Sequence, residues 1–400
     1  MASVKVKFRL PSVAGGEGYV YYQIIHDRKI RHVTTPYRLS VDDWRECQSE
    51  SSLIREYRPS VKVSMIGHII RTDMERMRRI AADMTRQDGV FTVDEMVGEY
   101  ERFVRQYSLF NFMQSIISLL RVRNRVRTAE TYASALSSFR RFRNGEDIVL
   151  DAINADIMED YEAYLKQCGV VPNTTSFYMR ILRAVYNRAV ERGAVEQSHP
   201  FRHVYTGVGK TVKRALPLSV IRRIKLLDLS ALPQADHARD MFMMSFYFRG
   251  MSFIDMAFLR KTDLHCGYIT YRRRKTGQKL MIKWTPDMQA ILDKYPQNST
   301  DYLLPIIINR DVPDRESYRR AGCNINYQLK KIAVMTGLTV PLTMYCARHS
   351  WASVARAKGV PVSIISEGMG HDSEATTRIY LESLDTSTVD RANDMILKSL

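Results

Sequence analysis

The sequence predicts a multidomain, mainly α-helical fold in which a small β-sheet module, an all-helical domain and a mixed α+β domain follow one another. Its 400 residues are enough for two or three domains of about 100 to 200 residues each. Apolar residues alternate with a period of two only in the first 60 residues and around residue 270, and they recur at helical spacing elsewhere. A hydrophobic content of 45% is ordinary for a chain with buried cores.

Residues 1–90 predict a small basic β-sheet module followed by a helical connector. Val4, Val6 and Phe8 fall on one face of a first strand, and a second strand covers residues 19–25 before a turn at residues 26–28. From about residue 60 to residue 87 the apolar positions take helical spacing among several arginines.

Residues 91–195 predict an all-helical domain, because strand alternation is missing and Thr92, Asp151, Asn154 and Asn173 offer helix starts. Between positions 102 and 145 the only acidic residue is Glu130. The arginines of this stretch are Arg102, Arg105, Arg121, Arg123, Arg125, Arg127, Arg140, Arg141 and Arg143. This imbalance favours a face that contacts phosphates over a solvated helix surface, which usually carries interleaved acids.

Residues 196–215 predict a basic linker into the next domain. No acidic residue occurs between Gln197 and Leu227, and Pro200, Gly207 and Gly209 interrupt regular structure. A linker of this charge is expected either to lie along a nucleic-acid duplex or to act as a flexible tether.

Residues 216–400 predict a mixed α+β domain in which helices dominate. One β-hairpin is evident, with strands at residues 268–274 and 280–284 joined by a turn at residues 275–278. Val389, Ala392, Ile396 and Leu397 recur at helical spacing, which predicts a tail helix over residues 386–400.

The charge balance indicates a polyanionic partner. Lysine and arginine number 60 against 43 aspartates and glutamates, which gives a formal net charge of +17. Nucleic acid is the favoured partner, and an acidic membrane surface is the alternative. A membrane span is not expected, because even the most apolar window, residues 241–259, carries Arg249 and Asp255 at its middle.

The cysteines and the amino terminus indicate a cytoplasmic protein. The first ten residues, MASVKVKFRL, lack the apolar segment of a secretion signal. The cysteines form no CxxC pair and no cluster with histidines, which argues against structural zinc and against a disulfide framework. These cysteines are Cys47, Cys168, Cys266, Cys323 and Cys346.

Two basic residues of the last domain stand in unusual settings. Arg249 lies in an apolar stretch, where a guanidinium must be ion-paired or functional. Asp255 is the candidate partner, but six positions separate the two residues, which fits poorly with the spacing of helical neighbours. Lys275 lies in the hairpin turn, where it serves solubility or, in a basic protein, reaches a phosphate.

Two motifs near the carboxyl end carry polar side chains. Tyr345 and Arg348 are three residues apart, so they share a face on a helix, with His349 beside them. Glycines at positions 368 and 370 predict a tight turn between helices that presents His371, and Tyr380 follows nine residues later. Taken singly, a histidine or a tyrosine in such a place is more often a satisfied core residue.

Taken together, the order of these residues resembles the tyrosine recombinase family, also called the phage integrase family. Arg249 and Arg348 match the two catalytic arginines of that family, and Lys275 matches its hairpin lysine. His371 matches the late histidine, and Tyr380 matches the nucleophile. One position departs from the pattern, since the family's His-x-x-Arg is Tyr-x-x-Arg at residues 345–348.

The resemblance implies a domain layout. Residues 1–90 are similar to an arm-type DNA-binding module with a helical connector, and residues 91–195 are similar to a helical core-binding domain. After the linker at residues 196–215, residues 216–400 resemble the family's catalytic domain. The tail helix is expected to dock either into a neighbouring protomer or onto its own domain.

The resemblance also implies a reaction that needs no metal and no other cofactor. Tyr380 would attack the scissile phosphate, and the two arginines would clamp the phosphate oxygens. Lys275 would protonate the leaving 5′ oxygen, and His371 would donate a hydrogen bond to the phosphate. Tyr345 is expected to hold the phosphate or to orient Tyr380. If a base must take the proton of Tyr380, His349 and His371 are the candidates.

The implied partners are double-stranded DNA, further copies of the chain in a tetramer on DNA, and accessory DNA-bending proteins. The implied location is the bacterial cytoplasm, at the nucleoid. Integration or excision of a mobile element and inversion of a DNA segment share this chemistry. A catalytically silent DNA-binding regulator and a type IB topoisomerase are the alternatives. The basic residues expected to contact DNA are Arg121, Arg123, Arg125, Arg127, Arg140, Arg141, Lys210, Lys213, Arg214, Arg272, Arg273 and Arg274.

Overall fold

The computed structural model describes residues 2–13, 15–48, 61–87, 89–209, 214–381 and 397. It divides into two compact units, Met1–Lys210 and Thr211–Leu400. Helices dominate both units, and each unit carries one small antiparallel sheet. The predicted fold class, a mainly helical multidomain chain with a small amino-terminal sheet and a mixed α+β domain, is confirmed.

The amino-terminal sheet has the strand order β1-β2-β3, with β1 at Ser3–Arg9, β2 at Gly18–His26 and β3 at Lys29–Leu39. Alternate side chains of β2 are buried, as expected for a sheet with one face on a core. The turn between β2 and β3 holds Asp27 and Arg28, both with positive φ, as in tight two-residue hairpin loops. The third strand was not predicted.

The helices of the first unit follow this sheet and form one core with it. Buried residues from the sheet to position 204 belong to a single hydrophobic cluster. Thr92 caps its helix in a reciprocal capping box, and Asn154 caps another, as predicted. Asn173 instead bonds to the backbone of Gly209. The helices are α1 (Val41–Gln48), α2 (Val61–Gln87), α3 (Val93–Tyr107), α4 (Leu109–Val122), α5 (Val126–Phe142), α6 (Ala155–Gln167) and α7 (Pro172–Glu191).

A buried ion network joins the sheet to the helices. The Tyr22 hydroxyl of β2 donates to Asp73 of α2 at 2.6 Å. Arg76, one turn further along α2, donates from Nη1 to Asp73 and from Nε and Nη2 to Asp151. The Arg76 side chain is almost fully buried. This guanidinium is the buried cation of both carboxylates, and the exposed Arg79 lies 4.0 Å from Asp151 as a second cation.

The second unit surrounds a hydrophobic cluster of its own with helices and a three-stranded sheet of order β4-β5-β6. Its strands are β4 (Leu264–His265), β5 (Tyr268–Arg272) and β6 (Lys279–Lys283). Its helices are α8 (Leu218–Leu226), α9 (Pro233–Tyr247), α10 (Phe253–Ala257), α11 (Pro286–Leu292), α12 (Asp314–Met335), α13 (Met344–Ala357), α14 (Val362–Gly368) and α15 (Glu374–Leu381). Among the residues described, no helix has both the length and the apolar character required to cross a bilayer.

The hairpin of β5 and β6 differs in length from its prediction. The first strand ends at Arg272 rather than at residue 274, and the turn spans residues 273–278. The backbone N–H of Gly277 donates to the Arg273 carbonyl at 2.7 Å, with Gly277 at a φ of 75°. A positive φ is accessible to glycine without strain, so the wider turn forms here. Apart from residue 397, the predicted tail helix lies outside the described residues.

We expect Arg76→Ala to destabilise the first unit by about 3 to 5 kcal/mol, because it leaves two carboxylates without their buried cation. The matched control is Arg78→Ala, an exposed arginine of the same helix, which should change stability by no more than about 0.5 kcal/mol. Native-state hydrogen exchange of the α2 amides measures the loss. Equal protection in the two variants would contradict this account of the network.

Candidate active site

Arg249 lies in a tight turn between two apolar helices. α9 ends at Tyr247, α10 begins at Phe253, and Arg249 itself has a φ of 57°. The carboxylate of Asp255 accepts hydrogen bonds from the Ser252 hydroxyl at 2.5 Å and the Arg274 backbone N–H at 2.9 Å. Within the described residues, no acidic side chain lies within ion-pair distance of Arg249. The Arg249 residue is half-buried.

Arg348 is held by carbonyl groups of two turns. Its side chain projects from α13 and is only 3% exposed. One Nη donates to the carbonyl of Gly250 at 2.6 Å, and the other donates to the carbonyl of Met369 at 2.8 Å. A β-carbon at Gly250 would lie 2.7 Å from the Arg348 Cα, so only glycine permits this approach. The turn that carries Arg249 is thereby fixed against α13.

The turn after α14 is the second half of this arrangement. Gly370 has a φ of 64°, and a β-carbon there would lie 2.8 Å from Leu280 of the hairpin. The Arg273 guanidinium and the Thr276 hydroxyl both donate to the Gly370 carbonyl. The Gln278 side chain donates to the next carbonyl, that of residue 371, at 3.3 Å. These contacts seat the hairpin turn on the loop that presents the late histidine.

The hairpin turn carries two residues with different predicted functions, Lys275 in catalysis and Arg273 in DNA binding. Lys275 is exposed, and its charge is felt by His371, so it stands beside the site. Arg273 was predicted as a DNA contact, but the structure gives it another role, since it is buried and holds the hairpin on the Gly370 carbonyl. The alternation of β5 continues past its end and turns this side chain inward, which the run of three arginines conceals.

His371 is surrounded by positive charge. It is 6% exposed, its Nε2 lies 2.9 Å from an Arg348 Nη, and its Nδ1 lies 2.7 Å from the Thr377 hydroxyl. Burial, followed by the charges of Arg348, Arg273 and Lys275, lowers its pKa from 6.5 to about 4. The imidazole is therefore neutral at physiological pH.

Tyr271 is a member of this cluster that the sequence did not single out. Burial raises the pKa of its phenol, and the charge of Asp255 raises it further. Arg348, Arg273 and Arg249 act in the opposite direction, so three guanidinium groups lie close enough to influence this one hydroxyl. Only its position in the strand just before the hairpin lysine could have pointed to it.

Tyr345 and His349 form an edge-on aromatic pair near the start of α13. Their ring centroids are 4.6 Å apart and the rings are nearly perpendicular, at 88°. Tyr345 is 53% exposed, whereas Arg348 on the same helix is buried. The helix face that carries both residues therefore runs from solvent to the core, with the Tyr345 phenol at its exposed end and Arg348 at its buried end.

Tyr380 lies in the last turn of α15, and its side chain is outside the described part of the structure. Two polar contacts hold this helix, besides the packing of Leu381 in a small hydrophobic cluster. Thr377, one turn before Tyr380, is fully buried against His371, and Arg356 of α13 donates to the Leu381 carbonyl. The backbone of the predicted nucleophile is thus tied to the same histidine that contacts Arg348.

The basic residues predicted to contact DNA divide into several groups. Arg127 pairs with Glu130 at 3.4 Å, and Arg140 stacks over the Phe110 ring. Arg274 lies over the Phe258 ring. These three arginines are exposed, and the other exposed residues of the set are Arg121, Arg123, Arg125, Arg141, Arg214 and Arg272. Lys210 and Lys213 lie outside the described residues.

Metal-ion ligands were not expected, and the described residues contain no group of three or more His, Cys, Asp or Glu side chains arranged to hold a metal ion. The site is instead made of cations, hydroxyl groups and one neutral imidazole. Such a set can bind and polarise a phosphate diester through charge-assisted hydrogen bonds.

Comparison with known proteins finds a family model and several recombinases that are similar to this chain. The model of the phage integrase SAM-like domain matches residues 108–204. A tyrosine recombinase of Pseudothermotoga lettingae is 23% identical over 299 residues, which cover 72% of this chain and 98% of that protein. Tyrosine recombinase XerA of Thermococcus kodakarensis is 26% identical over 234 residues, which cover 57% of this chain and 77% of that protein.

Solved structures share the fold. A lambda integrase dimer bound to a COC′ core site matches with a TM-score of 0.53 and 15% identity, over 67% of this chain and 97% of that one. The Tn1549 transposon integrase in complex with transposon right end DNA matches with a TM-score of 0.52 and 13% identity, over 72% of this chain and 99% of that one.

We expect His371 to titrate at about pH 4 in the folded protein. Between pH 6.5 and pH 4 the unfolded chain then binds a proton that the folded chain does not, so the free energy of unfolding falls as the pH falls through this window. An NMR pH titration of labelled histidine, assigned with His371→Gln, measures the midpoint. Lys275→Met should raise it, whereas Lys279→Met on the same hairpin should not. A midpoint near 6.5 would contradict the buried cationic setting.

Proposed function

We propose that this chain, which belongs to the tyrosine recombinase family, breaks and rejoins DNA through a covalent bond between Tyr380 and a 3′-phosphate. The coarser statement, that it is a tyrosine-type site-specific recombinase, rests on the family match, the curated relatives and the shared fold. One observation carries the finer proposal. The helix that bears Tyr380 is fastened through Thr377 to His371, which in turn contacts Arg348.

The proposed reaction is a pair of phosphoryl transfers. The phenolic oxygen of Tyr380 bonds to the scissile phosphorus as the bond to the 5′ oxygen breaks, and the proton lost by the phenol passes to a base or to water. The departing 5′ oxygen takes a proton from Lys275, whose exposed ammonium stands at the hairpin turn. Because the phosphotyrosine keeps the energy of the diester, a 5′-hydroxyl of another strand can reverse the step.

The two arginines are proposed to bind the non-bridging oxygens of the phosphate. Arg249 suits this role because it is half-buried and has no ion-pair partner among the described residues. Arg348 is already aligned by two carbonyl acceptors, so little reorganisation is needed when the phosphate arrives. A planar guanidinium stabilises the charge that grows on these oxygens better than an ammonium can.

Tyr345 is proposed to hold the phosphate or to orient the nucleophile. Its phenol is half-exposed at the mouth of the site and braced by the His349 ring. A hydroxyl there can donate a hydrogen bond but is a poor proton shuttle at neutral pH, since the reference pKa of tyrosine is about 10. We therefore assign proton transfer to other groups.

The first unit is proposed to bind DNA on two surfaces. The arginines around the turn from α4 to α5 are exposed and suited to phosphate contacts. The outer face of the amino-terminal sheet is also basic, since Lys5, Lys7 and Arg9 point to solvent on β1. Across the strands they lie opposite Gln23, Tyr21 and Tyr19 of β2. This mixture of cations and hydrogen-bonding side chains supports the arm-type DNA-binding role of residues 1–90.

The biological role we propose is integration or excision of a mobile element, or inversion of a DNA segment. Exchange of both strands at two sites requires four nucleophiles, so four copies of the chain are proposed to assemble on DNA. The reaction takes place where the DNA is, at the nucleoid in the bacterial cytoplasm, and accessory DNA-bending proteins would set its direction.

Tyr380→Phe should abolish covalent attachment to DNA while binding persists, because only the nucleophilic oxygen is removed. The measurement uses a duplex selected for tight binding and nicked beside the scissile phosphate, run with the protein on a denaturing gel without added metal. Tyr327→Phe, at an exposed tyrosine of the same unit, is the matched control and should attach as wild type does.

Two outcomes would contradict the proposal. Tight, salt-sensitive binding without a covalent band in wild type would indicate a catalytically silent DNA-binding regulator. Attachment to plasmids that lack the selected site, accompanied by relaxation of their supercoils, would indicate a type IB topoisomerase.

Tyr345→Phe should lower the cleavage rate modestly, by roughly the tenfold that a lost hydrogen bond of about 1.4 kcal/mol represents. Tyr345→His should preserve cleavage, since an imidazole can donate the same hydrogen bond and matches the family pattern. Single-turnover cleavage of the nicked duplex measures both rates. A histidine variant that does not cleave would overturn the role assigned to Tyr345.

A further inference from the structure

Thr377 is the residue through which the helix of the nucleophile reaches the cationic site. We propose that Thr377 is a positioning residue: its hydroxyl fixes His371 in the Nδ1–H tautomer, so that Nε2 accepts a hydrogen bond from Arg348. The inference rests on the proposed function and adds a residue to it. It also changes the role predicted for His371, from a donor to the phosphate to an acceptor that orients an arginine.

The three side chains form a buried chain of contacts. The Thr377 hydroxyl lies 2.7 Å from Nδ1 of His371, and Nε2 of His371 lies 2.9 Å from an Nη of Arg348. Thr377 is 0% exposed, and the other two residues are nearly as buried. Water is therefore a poor competitor for these hydrogen bonds, and each group depends on its protein partner.

The direction of each hydrogen bond follows from the chemistry of the groups. A guanidinium has only donors, so the His371 nitrogen that faces Arg348 must be the acceptor and carries no proton. A neutral imidazole has one N–H, which is then on Nδ1 and points to the Thr377 oxygen. The opposite tautomer would set an N–H against the donors of Arg348. Of the two partners, only the threonine hydroxyl can accept.

The positive charge around the imidazole favours the neutral ring that this arrangement of hydrogen bonds requires. Arg348, Arg273 and Lys275 all disfavour a second proton on His371, and burial does so too. With one proton and two fixed neighbours, a single tautomer satisfies both contacts. The ring is thereby held in one orientation, as with histidines whose second nitrogen is anchored in other sites.

The position of Thr377 in the chain gives the contact its consequence. It lies three residues before Tyr380, which is one turn of α15. A hydrogen bond from His371 to this turn therefore fixes the position of α15, which carries the nucleophile, relative to Arg348, which is proposed to bind the phosphate. Loss of the Thr377 hydroxyl should make this position less fixed, while the DNA-binding surfaces remain unchanged.

The test compares Thr377→Val, which removes the hydroxyl at nearly equal volume, with Thr377→Ser, which keeps it. Thr376→Val, the same change at the adjacent and less buried threonine, is the matched control. Single-turnover cleavage of the nicked duplex, the Kd for the same duplex, and the NMR shifts of labelled His371 are measured for each protein.

We expect Thr377→Val to slow cleavage about 10- to 100-fold, as for other residues that orient a site group, with the Kd changed less than about threefold. Thr377→Ser should retain most of the cleavage rate, and Thr376→Val all of it. The His371 shifts should report the Nδ1–H tautomer in wild type, Thr377→Ser and Thr376→Val, and a mixture of tautomers in Thr377→Val.

The outcomes separate this inference from the proposed function. An Nε2–H tautomer in the wild type would overturn the inference even if Thr377→Val failed to fold. Equal cleavage by wild type and Thr377→Val would overturn it too. If wild type formed no covalent complex at all, the proposed function would fall, and the tautomer measurement would still decide what Thr377 does to His371.

Discussion

The candidate site depends on the way in which one buried guanidinium is held. Arg348 donates hydrogen bonds to carbonyl groups of two separate turns, which carry Arg249 on one side and His371 on the other. The first turn could not approach α13 with an ordinary side chain at Gly250, and a β-carbon at Gly370 in the second turn would lie 2.8 Å from Leu280 of the hairpin. Burying a charged group is costly unless it is hydrogen-bonded, so the fold of these loops and the position of the arginine require each other.

The same constraint explains how the site can hold several buried positive charges close together. Arg348 donates to two backbone carbonyl groups and Arg273 donates to one, and a neutral carbonyl, unlike a carboxylate, does not cancel the charge of a guanidinium. Asp255 is occupied by the Ser252 hydroxyl and a backbone N–H. The neutral state of His371 follows first from its burial and then from the positive charges of Arg348, Arg273 and Lys275.

Motif spacing was sufficient to predict the fold class, and it singled out Arg249 and His371, which lie on the two turns that Arg348 contacts. It could not predict which side chains and carbonyl groups these residues contact. The three consecutive arginines of the hairpin have the same sequence signal, yet Arg273 is buried and its neighbours are exposed, because the alternation of β5 continues past the end of the strand. Thr377 and Tyr271 gave no signal, since a threonine in a helix and a tyrosine in a strand are ordinary. Strand β3 was missed because its polar outer side and Pro36 mask the alternation.

The shared core of the first unit bears on how such a chain could gain or lose its sheet. Tyr22 reaches the buried Asp73 of α2, and its ring meets that of Tyr100 of α3 edge-on. Removal of the three strands would leave apolar helix faces and a carboxylate stripped of its hydroxyl donor. A chain of this kind without the three strands would therefore need polar residues on these helix faces and a new partner for the carboxylate.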